Sequence, residues 1–140
     1  MTYQHILVAL DLSDDSKLLI DKAISFAKLL NAEISLIHID GAIGEIYPDL
    51  VDIQANPDHR PLTEHSNKRL RELQKYTDFP IKHFYVGTGD LSNKLEKTIS
   101  DNGFDLLICG HHHDLVSRVL SYSRSLINHS PIDILVVPMP

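Results

Sequence analysis

Residues 105 to 114 read DLLICGHHHD, an apolar run closed by Gly110 and followed by three consecutive histidines, His111, His112 and His113. A short, unbroken apolar run that ends in glycine fits a strand covered on both faces, turning at once into the next element. Four other runs share this character: HILVALD (5–11), EISLIHI (33–39), IKHFYVG (81–87) and DILVVP (133–138). Longer segments of helical period separate them, and such alternation marks βαβ units around a parallel sheet. Right-handed crossovers then give a doubly wound α/β sheet of five parallel strands with helices on both faces. The 140 residues suit one domain spanning 1–140, and no linker or internal repeat divides them.

The first helix carries Leu19, Ile20, Ala23, Ile24, Ala27 and Leu30 on one stripe. Ser13 is its expected N-cap, Asp14 and Asp15 supply negative charge to its first turn, and Asn31 is its stop. A second helix carries Leu62, Leu70, Leu73 and Tyr76 and ends before Pro80. A third begins at Gly89-Asp90, turns Leu91, Leu95 and Ile99 inward and stops near Asn102-Gly103. The fourth follows the histidines, with Leu115, Val116, Val119, Leu120, Leu126 and Ile127 in its stripe. Asp40 to Arg60 has no sustained period and contains Gly41, Gly44, Pro48 and Pro57, so it reads as a loop with room for one helical turn.

A formal net charge of −6, with 13 scattered basic residues, argues against wrapping nucleic acid. No apolar stretch approaches the ~18 residues that span a bilayer, and the start MTYQHILVALD lacks the basic opening of a signal peptide. The single cysteine, Cys109, reads as a buried, inert thiol in a reducing compartment. A cytoplasmic protein without nucleic-acid or membrane partners is the expectation.

Ligands of doubly wound sheets sit beyond the carboxyl ends of the strands. Those ends are Asp11-Leu12-Ser13, Asp40-Gly41, Gly87-Thr88-Gly89 and Gly110 to Asp114. Adjacent histidines point in divergent directions, and His5, His38, His59, His65, His83 and His129 form no HxxxH or HExxH pattern, so the run reads as loop imidazoles rather than a metal site. No GxSxG elbow or CxxC occurs, so catalytic residues are expected to be absent. A phosphate loop fares little better, because GxxxxGK and GxGxxG are both missing. His113 stands where a second glycine would let backbone approach phosphate. Asp114, as a helix cap, would occupy the amides an anion needs and repel it. Asp11 closes the first strand at the expected crevice. It serves equally as a ligand contact or as an acceptor for the amides of its own turn.

The segments ILVALDLSDDS, HID, VGTGDL, DLLICGHHH and SYSRSLINHSPIDILVVP, in that order, resemble the universal stress protein family, chiefly its universal stress protein A branch. The resemblance covers essentially the whole chain. It implies the strand order 3-2-1-4-5, which puts Asp11 and Gly110 on one crevice and makes the last strand an edge. ATP-binding members carry Gly, two residues, Gly, nine residues, Gly and then Ser or Thr. Here those positions hold Gly110, His113, Ser123 and Arg124, so one of four matches. Asp11 corresponds to an aspartate that contacts the nucleoside. The resemblance therefore implies a remnant of a nucleotide site without ATP or other cofactor. Members pair through the last strand, which implies a homodimer through Ile132, Ile134, Leu135, Val136, Val137 and Pro138, acting on protein partners that the sequence does not name.

Overall fold

The computed structural model describes residues 2–40, 50–58, 64–88, 91–112 and 130–139. The elements run β1 (His5–Ala9), α1 (Ser16–Leu30), β2 (Glu33–Asp40), β3 (Val51–Asp52), α2 (Glu64–Gln74), β4 (Ile81–Thr88), α3 (Leu91–Asn102), β5 (Leu106–His112) and β6 (Asp133–Met139). One sheet contains all six strands in the order β3-β4-β2-β1-β5-β6. The five long strands are parallel and lie in the order the family resemblance implies. The sheet itself is mixed and six-stranded, which corrects the expectation of five parallel strands. The sixth strand, β3, lies antiparallel on the edge of β4, within a segment expected to be loop.

Period-two alternation explains the layers. Ile6, Val8, Leu10, Ile34, Leu36, Phe84 and Val86 share one core with Leu19, Ile20, Ala23 and Ala27 of α1 and Leu70 and Leu73 of α2. Leu7, Ala9, Ile37, Ile39, Leu107 and Cys109 face the other way and share a second core with Leu95 and Ile99 of α3 and with Phe104. Every residue of β1 is buried because both faces are covered. Each fully buried Ile, Leu or Phe contributes about 1.5–3 kcal/mol by leaving water. Cys109 is fully buried, as expected, and burial pushes its thiol up to about 11.

α1 ends where expected. Asn31 adopts φ +53° and Ala32 N–H donates to Ala27 O at 2.9 Å, satisfying a terminal carbonyl. Its start differs from expectation, because the Asp11 carboxylate accepts Ser13 N–H at 3.0 Å and Leu12 turns to φ +64°. The helix therefore opens two residues later than expected, at Ser16, with Asp15 in the N-cap position making no side-chain cap bond. Tyr76 lies beyond α2, where its hydroxyl donates to Asp21 at 2.7 Å. α3 stops at Asn102, and Gly103 takes the left-handed φ of +66° that such a stop favours. The fourth expected helix, with Leu115 to Ile127, lies outside the described residues, as do Gly41, Gly44, Pro48, His59, Arg60, Leu62, Gly89, Asp90 and His129.

Candidate ligand crevice

β1 delivers Asp11 to the carboxyl end of the sheet, and β5 delivers Gly110 beside it through the β1–β5 pairing. The turn after β1 is fixed from two sides. Asp11 holds Ser13 N–H from within, while Arg69 of α2 donates to Leu12 O at 3.4 Å and to Asp14 at 2.5 Å. That guanidinium holds the Asp14 carboxyl below its ordinary range. Asp11 thus fills one of the two roles open to it, that of turn acceptor, and the residue is exposed.

Leu12 in the left-handed region costs about 1–2 kcal/mol, a strain that this double anchoring sustains. Next to it, the hydroxyls of Ser13 and Ser16 are buried and find no hydrogen-bond partner among the described residues. A buried unpaired hydroxyl costs about 1–3 kcal/mol. Across the rim, the buried His38 ring donates from Nδ1 to Leu10 O at 2.8 Å, since a carbonyl only accepts, and this fixes its tautomer.

Gly110 has a packing reason to be glycine. A Cβ there would lie 3.0 Å from Met139 Cγ, 3.4 Å from Met139 Sδ and 3.8 Å from Leu19 Cδ2. The residue therefore seats Met139 of β6 against the core. β5 runs on to His112, with His111 paired to Pro138 and His112 to Met139. These two histidines belong to a strand, which corrects their reading as loop residues. His113, Asp114, Ser123 and Arg124 lie outside the described residues. Among the described residues, no three His, Cys, Asp or Glu side chains gather as metal ligands.

The opposite end of the sheet holds a polar network that sequence reasoning missed. The buried His5 ring bonds Ser35 Oγ at 3.0 Å through Nε2 and packs on Phe104 at 4.1 Å between centroids. Burial and the Lys82 charge lower its pKa below 6.5. His83 bonds Asp52 at 2.7 Å through Nδ1 and stacks on Tyr85. Burial raises the Tyr85 phenol, whose hydroxyl donates to Asn102 Oδ1 at 3.0 Å. Asp52 also accepts Phe84 N–H and Gln54 N–H, each at 3.0 Å. The available signal was alternation, which puts His5 on the Leu7 and Ala9 face. Its partners, far apart in sequence, gave none.

A family model matches residues 2–138, and it is that of the universal stress protein family. The chain belongs to this family. Universal stress protein A of Yersinia pestis is 40% identical over 139 residues, covering 99% of this chain and 94% of the relative. Universal stress protein A of Escherichia coli K12 is also 40% identical, at 99% and 96% coverage. Among solved structures, UspA from Lactobacillus plantarum superposes with a TM-score of 0.69 at 20% identity, covering 98% of this chain and 99% of its own. A universal stress protein solved in complex with cAMP gives 0.65 at 19% identity, with 98% of both chains covered. At such identities these structures support the family's α/β fold alone. No described helix is long and apolar enough to cross a membrane.

Proposed function

We propose that this chain is a cytoplasmic stress-response protein that pairs through β6 into a homodimer, acts through protein contacts, and neither binds ATP nor catalyses a reaction. The observation that carries the pairing is the unequal treatment of the two sheet edges. On the β4 edge, β3 forms ladder pairs with Tyr85 and Val86, Asp52 accepts Phe84 N–H, Ile53 N–H donates to Phe84 O at 2.9 Å, and Gln54 Nε2 donates to Ile81 O at 2.9 Å. Backbone groups there are occupied, which blunts the edge against further strands. On the β6 edge, no described strand pairs the outer side of Asp133–Met139. Val136 stands 36% exposed, and Ile132, Ile134 and Leu135 are half-buried. Val137 is buried and Pro138 is exposed, so Val137 belongs to the core and the outer ladder ends at a residue without N–H. Sedimentation equilibrium at micromolar concentration tests the pairing. Twice the chain mass is expected, and the mass of one chain overturns it.

The absence of ATP is supported by His113, Ser123 and Arg124 at the three departures from the family's phosphate pattern. The one matching position, Gly110, has a packing explanation of its own. Strain at Leu12 and the unpaired hydroxyls of Ser13 and Ser16 favour a second reading, in which the crevice at Asp11 and Gly110 accepts a nucleoside or another small ligand. The cAMP complex of a structural relative points the same way. Native mass spectrometry of the purified protein separates the two readings, since a retained ligand adds a defined mass and the first reading expects none.

A further inference from the structure

The outer face of α1 carries exposed apolar side chains. Leu29 is 83% exposed and Leu18 46%. Leu18, Lys22, Ser25 and Leu29 follow at spacings of four, three and four, which puts them on one stripe opposite the buried Ile20, Ala23 and Ala27. With Asp21 and Phe26 they border a groove of about 320 Å³.

We propose that this face docks onto itself, with α1 of a second copy lying antiparallel across it about a two-fold axis. The 4-3-4 spacing is that of a two-helix seam. An antiparallel alignment centred between Ala23 and Ile24 sets Leu18 of each copy against Leu29 of the other. It also sets Lys22 against Ser25, whose small side chain leaves room for the lysine stem to reach solvent. Asp21 and Lys28 stand seven residues apart on one flank of the seam. The same alignment brings Asp21 of each copy nearly level with Lys28 of the other, forming two symmetry-related ion pairs. A parallel alignment would instead set this flank against the opposite flank of the partner helix, which carries Leu19 and Phe26, and would leave both charges without a partner across the seam. Lys17, further round that flank, sits over the Tyr76 ring with Nζ 5.5 Å from its centroid. Charge self-complementarity is what selects a second copy of this chain over an unrelated helix.

Size sets the strength. A helix of 15 residues is about 22 Å long, so one face buries roughly 300 Å², well under the ~800 Å² per partner of stable dimers. Lys22 in the seam weakens it further. The contact is therefore weak and concentration-dependent. Because it uses a surface separate from β6, it would link β6-paired dimers into larger assemblies.

Sedimentation velocity over rising protein concentration tests this on the full chain and on Asp21→Lys, Lys28→Asp, the double swap and Lys22→Leu, with circular dichroism confirming the fold of each. We expect a concentration-dependent step in the parent chain. Each single charge reversal should weaken it about tenfold, the double swap should restore it, and Lys22→Leu should tighten it. No such step, indifference to all four changes, or a double swap no better than the singles overturns the proposal. So does finding that a different protein fills the groove while this chain stays unassociated. A Val136→Glu background separates the two surfaces, because loss of β6 pairing there leaves the α1 step in place.

Discussion

Replacing Gly110 by Ala asks whether this position is a phosphate-loop glycine or a packing glycine. The new Cβ would stand 3.0 Å from Met139 Cγ and 3.4 Å from Sδ, inside the ~3.5–4.0 Å of relaxed carbon contacts. Overpacking a close-packed site costs about 1–3 kcal/mol, with methionine's flexible chain placing this case low in that range. Alanine recovers about 0.5–1 kcal/mol over glycine in a strand interior. The net expectation is a destabilisation of at most about 0.5 kcal/mol, read as a slightly lower urea midpoint at unchanged slope and a Tm lower by at most about 2 °C. Met139→Ala alone should cost about 2–5 kcal/mol, because Met139 is 3% exposed. In that background only Leu19 Cδ2, at 3.8 Å, meets the added methyl, and Gly110→Ala should turn neutral or stabilising. The double-mutant cycle should therefore return a coupling of about 1–3 kcal/mol. An equal effect of Gly110→Ala in both backgrounds would refute the packing explanation.

Three further outcomes follow from the polar network and the core. His5 has a folded pKa below its unfolded value of 6.5, so the unfolded chain binds more protons. Its contribution is intact above pH 6.5 and is lost as pH falls from there toward the folded pKa. Stability measured from pH 7.5 to 5 should decline over that window and flatten in His5→Gln, and an unchanged slope would contradict this. Asp52→Ala removes the acceptor of Phe84 N–H, Gln54 N–H and His83, and should cost about 2–4 kcal/mol while raising light scattering as the β4 edge opens. Cys109, buried and with its thiol at about 11, should react with a disulfide reagent only at the rate of unfolding, and prompt labelling of the native chain would count against its placement.

Much of the fold was legible because its signals are local and repeated. Five apolar runs with helical stripes between them gave the α/β class, and buried β1 shows why its run is unbroken. β3 escaped because two residues carry no period, and their strand character comes from pairing with Tyr85 and Val86. Ser13 misled as an N-cap because a nearer acceptor, the Asp11 carboxylate, captured its amide and displaced the helix start. β5 outran its glycine because β6 supplies partners as far as Met139. At the crevice, Asp11 was legible from its position at a strand end. The unpaired hydroxyls of Ser13 and Ser16 were not, since only three-dimensional surroundings reveal a missing partner.

Isothermal titration of the purified protein with MgATP bears most directly on the proposal that this family member works through contacts rather than nucleotide. No saturable heat is expected at micromolar to submillimolar nucleotide. A saturable isotherm with micromolar affinity that weakens on replacing Asp11 would contradict it.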